Sequence, residues 1–196
     1  MRTLALASIL LSLSMLHGCQ APEGQEWIPT GGFNLAVVDD YKVEVSALGY
    51  SGSGDVEYSS FQFEAGATRV TPNDVRDIKH EFAGISFGFG DLEADGATSD
   101  LVEFSGGGRF YFDDGSDVIP FLSIWSVISD IDDPLVNTPQ LSIRAGGGVE
   151  WPFSPQAALS IGADLTIPII DAEDSTGLFE SNAEGLAIRI GFVFHP

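Results

Sequence analysis

Cysteine, histidine and positive charge are all scarce in this chain. A single cysteine, Cys19, stands among 196 residues, so neither an internal disulfide nor a thiolate metal cluster can form. The only histidines are His17, His80 and His195, and none sits in a strand-like pattern. Serine–histidine catalysis and zinc chemistry therefore lack their base or ligand, and no catalytic residue, metal or cofactor is expected. Lysine and arginine together number 8 against 29 acids, a formal charge of −21. Such a surface repels nucleic acid, and no basic stripe compensates. The acidic runs Asp130, Asp132, Asp133 and Asp171, Glu173, Asp174 lack the twelve-residue calcium loop with its central glycine and closing glutamate.

Long apolar runs are missing too. Leu4 to Met15 is too short to span a bilayer as a helix, and it follows the minimal charged start Met1-Arg2. That arrangement reads as a secretory signal over residues 1–18. Its end, Leu16-His17-Gly18-Cys19, resembles the bacterial lipoprotein cleavage motif. The resemblance implies that Cys19 is acylated and becomes the new N-terminus; ordinary signal cleavage nearby is the alternative. Residues 19–40 are expected to form a polar tether, since 20–30 contain Pro22 and Pro29. Phe33–Val38 remains open as a short strand, a lumen plug or part of a bulged first strand.

What the chain does have is alternation. From Gly185 to Phe194, Leu186, Ile188, Ile190, Phe192 and Phe194 share one face, and Ala187, Arg189, Gly191 and Val193 the other. A strand in a bilayer wall turns large apolar groups to lipid and small or charged ones to a lumen. About eight such segments can be marked over 41–196, and their second faces carry glycine, serine and single charges. Strand three, about 82–92, sets Ile85, Phe87 and Phe89 against Gly84, Ser86, Gly88 and Gly90. Four small residues cannot fill a soluble core, but they leave room inside a narrow barrel.

Strand one, about 41–50, places Val43, Val45 and Ala47 outward with Lys42, Glu44 and Ser46 inward. Ser51–Asp55 reads as a turn into strand two, about 56–67. Residues 68–80 break the alternation, and Thr71-Pro72 could open a short helix. An acidic loop is expected over 93–100, strand four over about 101–112 and strand five over about 118–128. The outward face of strand five is ambiguous between Ile119, Phe121, Trp125 and Leu122, Ile124. Strand six, about 139–151, and strand seven, about 157–169, alternate cleanly, with irregular connections at 129–138 and 171–184.

The stretches GGGRFYFDDGSDVIPFLSIW (106–125) and AGGGVEWPFSPQAALSIGADL (145–165) share one plan. A glycine-rich strand ends in aromatics, an acidic or short turn follows, and an amphipathic strand returns. In this the chain resembles the outer-membrane β-barrel domain family, well over 101–196 and loosely over 41–92. The resemblance implies an all-β, closed antiparallel up-and-down barrel of about eight strands embedded in a bacterial outer membrane. It also implies outer-membrane lipid and the barrel-assembly machinery as partners.

On this reading a network of lumen charges sets Lys42, Arg109, Arg144 and Arg189 against Glu44, Glu64, Glu103, Glu150 and Asp164. Singly buried, each would cost several kcal/mol; grouped, they can pair. Eight strands enclose little more than side chains, so a structural or surface-interaction protein is expected and not a general porin or an enzyme. The alternative is a soluble, lipid-tethered β-barrel that binds a small hydrophobic ligand.

Overall fold

A computed structural model describes residues 23–47, 50–72, 77–94, 97–113, 115–131, 139–170, 172–173 and 179–194. The strands are β1 (Glu26–Ala47), β2 (Tyr50–Thr71), β3 (Ile78–Ala94), β4 (Ala97–Tyr111), β5 (Ile119–Ile131), β6 (Gln140–Ser154), β7 (Ala157–Ile170), the two-residue β8 (Ala172–Glu173) and β9 (Phe179–Phe194). Each wall strand pairs antiparallel with the next, and β1 pairs with β9, so β1–β7 and β9 close a ring of eight. Closure removes the sheet edges that an open sheet would leave unpaired in lipid.

The two faces separate as the period of two requires. Leu35, Val37, Phe63, Phe87, Phe89, Leu122, Ile124, Ile161, Leu165, Ile188 and Ile190 stand exposed on the outside. Asn34, Gln62, Ser86, Ser105, Arg109, Arg144, Glu150 and Asp164 are buried inside. This inverts a soluble core: the molecule's apolar surface is its exterior. Phe33 lies at the closing seam, with ring centroids 5.8 Å from Phe61, 5.3 Å from Phe192 and 6.1 Å from Phe194.

Strand boundaries differ from those expected at several places. Residues 26–40, expected in the tether, lie in β1, which pairs with β2 and β9 as barrel wall. Ser51–Asp55 lies within β2 opposite β1 and makes no turn. Its glycines and serines lower strand propensity, but a paired neighbour overrides that preference. No described residue is helical; Thr68–Thr71 end β2, Ile78–His80 begin β3, and 73–76 fall outside the described residues. Strand also covers Glu93–Ala94, Ala97–Asp100, Ser129–Ile131 and 179–184, while residues 95–96, 132–138 and 174–178 lie outside the description.

Among the described residues, register shifts fall near both ends of the β6–β7 ladder, and two bulges elsewhere change which charges face the lumen. One lies between Val38 and Tyr41 of β1. An extra residue on one strand swaps the faces beyond it. Val43 consequently turns inward and packs near Ala36, Val56, Tyr58, Leu92, Leu101 and Ala187, and the expected facing of strand one is reversed. The second falls at the start of β3, where Arg69 pairs with Glu81 but Val70 pairs with Lys79.

Candidate functional site: the lumen network

Inside the barrel, glycines make seats for long side chains, either of the neighbouring strand or two residues away on their own. A Cβ at Gly88 would lie 2.7 Å from Gln62 Cγ, and one at Gly191 would lie 2.1 Å from Asn34 Oδ1. A Cβ at Gly84 would meet the Phe82 ring at 2.7 Å, and one at Gly148 the Phe121 ring at 2.9 Å. Phe82 and Phe121 are thereby held inside, and the Arg109 guanidinium sits 5.4 Å from the centroid of each ring. An aromatic face attracts a cation, so the two rings offset part of the loss of water around Arg109.

Two carboxylates act as hubs. Glu150, fully buried, accepts from Lys79 Nζ at 2.5 Å and from Tyr111 Oη at 2.7 Å, with Arg109 Nη1 3.7 Å away. Arg109 also donates to Glu64 at 2.5 Å, and Asn34 donates to the other Glu64 oxygen at 2.6 Å. Higher in the lumen, Glu103 accepts from Arg144 and Gln62, each at 2.5 Å, and from Tyr58 at 3.0 Å. Arg189 pairs with Asp164, which also accepts from Ser123 at 3.0 Å. Gln62 links the upper groups by accepting from Arg189 at 2.7 Å while donating to Glu103.

Among the described residues the inward cations Lys79, Arg109, Arg144 and Arg189 face the inward carboxylates Glu64, Glu103, Glu150 and Asp164. The lumen is therefore neutral although the chain is strongly acidic. Charges taken from water need this pairing, since an unpaired buried ion costs several kcal/mol. The space left between Glu64, Arg109, Trp125, Arg144, Asp164 and Arg189 is a cavity of about 20 Å³. Such a volume holds roughly one water. Arg109 Nη1 and Arg189 Nη2, buried without hydrogen-bond partners and on residues lining it, are the groups that water would satisfy.

Seven of the nine residues expected in the lumen network lie there: Glu64, Glu103, Arg109, Arg144, Glu150, Asp164 and Arg189. Lys42 and Glu44 do not. They pair with each other at 2.5 Å with side chains 43% and 47% exposed, because the bulge before Tyr41 turns them outward. Glu44's hydrogen bond and charge raise the Lys42 pKa above its ordinary value. Lys79 was missed, since strict alternation back from Phe82 turns it outward and only the bulge at His80 brings it in. Phe121 and Trp125 settle the facing of β5, with Leu122 and Ile124 exposed.

Cys19 and His195 lie outside the described residues. His80 Nε2 is 3.2 Å from Gln25 Nε2 and 2.6 Å from Thr71 Oγ1, at the end of the barrel where β1 begins and β9 ends. The described residues contain no His, Cys, Asp and Glu group arranged to hold a metal.

No family model and no curated protein matches the chain. Among solved structures it is similar to Neisserial surface protein A, at 16% identity over 89% of this chain and 100% of that one, with a TM-score of 0.52. Looser matches are the outer membrane enzyme PagL, at 10% identity over 83% and 99% with a TM-score of 0.48, and OprG from Pseudomonas aeruginosa, at 14% over 88% and 97% with 0.42. The likeness is one of fold: the chain has the fold of the small eight-stranded outer-membrane β-barrels.

Proposed function

We propose that this chain is a bacterial outer-membrane barrel with a structural or surface-interaction role, not a general porin and not an enzyme. The observation that carries this reading is the filled lumen. A barrel whose interior ions pair across its axis, around a cavity that holds roughly one water, is suited to a closed wall better than to general solute passage. What such a protein offers its surroundings is its outer wall and its rims. The wall is apolar and suits lipid. A soluble tethered barrel would need those groups inside, where instead paired ions lie between two smaller apolar clusters.

In outer-membrane barrels the short turns face the periplasm and the longer loops the exterior. The end where β1 begins and β9 ends, with the two-residue turn Pro155-Gln156, is read as periplasmic; the opposite rim, which has short connections between β1 and β2 and between β3 and β4 but the longest ones between β5 and β6 and between β7 and β9, would face outward. Export by residues 1–18, acylation of Cys19 and delivery by the barrel-assembly machinery belong to the same reading. Expressed with its signal, the protein should resist carbonate extraction and should migrate faster unheated than boiled. Extraction into the soluble fraction with no heat shift would overturn the proposal.

A further inference from the structure

The far rim is uneven. β1 and β2 run together up to the pair Ala47↔Tyr50, and β9 follows β1 as far as Phe179. β3 stops pairing with β2 at Glu57↔Glu93. Beyond that point Tyr50–Val56 is paired to β1 on one side, and no described residue pairs with its other side. Seven residues of extended backbone, roughly 20 Å, present that open edge. Tyr50–Asp55 are all exposed, and a Cβ at Gly52 or Gly54 would meet nothing within 4 Å.

Exposed edges are normally protected by lysine, proline or a bulge. This edge has none of these; its sequence is YSGSGDV. Its surroundings are mainly acidic. Asp55 lies on the edge, Glu57 and Glu93 face each other at its foot, and Asp91 opposes Asp100 just beyond. Among the described residues Lys42 stands opposite Asp55 in the β1–β2 ladder and binds Glu44 at 2.5 Å, one cation against Glu44, Asp55, Glu57 and Glu93. Like charges set directly opposite each other on adjacent strands repel, so the rim gains from a cationic neighbour.

We infer that the free edge of β2 over Tyr50–Val56 takes an added strand from an extended, basic peptide segment. Main-chain hydrogen bonds supply the attachment, and lysine or arginine at alternate positions supplies the match to Asp55, Glu57 and Glu93. A second copy of the chain would bring another acidic rim. The inference rests on the reading above that this rim faces outward.

The test uses the full chain refolded in detergent micelles and a fluorescent peptide of about ten residues alternating lysine and threonine. Two control peptides are glutamate-for-lysine and N-methylated at alternate amides. The lysine peptide should bind and slow hydrogen exchange within 50–56, and both controls should bind at least about tenfold more weakly. Equal binding of the N-methylated peptide, protection elsewhere, or no binding overturns the inference. So does concentration-dependent dimerisation that protects 50–56 without peptide, which would assign the edge to a second copy.

Ser53→Pro and Gly54→Pro remove neighbouring N–H groups that point to opposite sides of the strand. One of them blocks the open edge alone, and it should abolish binding while the unheated protein still migrates fast. Retained binding in both overturns the inference. A cysteine at Ser53 in a Cys19→Ala background, probed on intact cells, tests the orientation separately: no labelling sinks the proposed surface role, whereas peptide binding is read on the purified protein.

Discussion

Lys79 of β3 donates to Glu150 of β6 across the lumen at 2.5 Å, joining two strands that share no backbone pairing. Removing Lys79 would leave the buried Glu150 charge with only Tyr111 at 2.7 Å and Arg109 Nη1 at 3.7 Å to offset it. Lys79→Met should therefore cost about 3–5 kcal/mol, measured by urea unfolding in lipid vesicles. Adding Glu150→Gln should cost less than the sum of the single changes, since the residues form one unit. Additive losses would show that the pair is not coupled. Lys42→Ala, which breaks an exposed pair instead, should leave the unfolding midpoint unchanged.

Glycine seats should separate into two kinds. At Gly148 a Cβ would lie 2.2 Å from the Ile161 carbonyl oxygen and against the Phe121 ring, so Gly148→Leu should prevent the heat-modifiable form from appearing. At Gly52 the surrounding space is open, and Gly52→Ser should assemble like the parent. Equal yields of the two on an unheated gel would contradict the inward placement of Phe121.

The wall can be read residue by residue. Single cysteines at 186, 188 and 190 in a Cys19→Ala background should be quenched by a bilayer-depth quencher, and those at 187 and 189 should not. Ile190→Arg should cost about 2–4 kcal/mol near the midplane and reduce insertion. Uniform absence of quenching would remove the lipid-facing assignment.

If Cys19 carries the lipid, Cys19→Ala abolishes labelling by a fatty-acid analogue and stalls processing, while barrel insertion continues. Undiminished labelling would discard the lipoprotein expectation.

Alternation alone determined which face of most strands points out of the barrel. It held for β4, β6, β7 and the final strand because side chains on a regular strand must point to opposite sides, whatever surrounds them. It also placed Glu103, Arg109, Arg144, Glu150, Asp164 and Arg189 in one interior. Tertiary structure decided the rest. A bulge between Val38 and Tyr41 turned Lys42 and Glu44 out, and another at His80 turned Lys79 in, since one extra residue inverts every side chain beyond it. Phe121 could go inside only because β6 and β7 bring Gly148 and Gly162 beneath its ring, a matter of register between strands. Which cation meets which carboxylate was likewise settled across the lumen, between residues distant in the chain. Local pattern carries facing; height along the barrel and partner across it come from closing the ring.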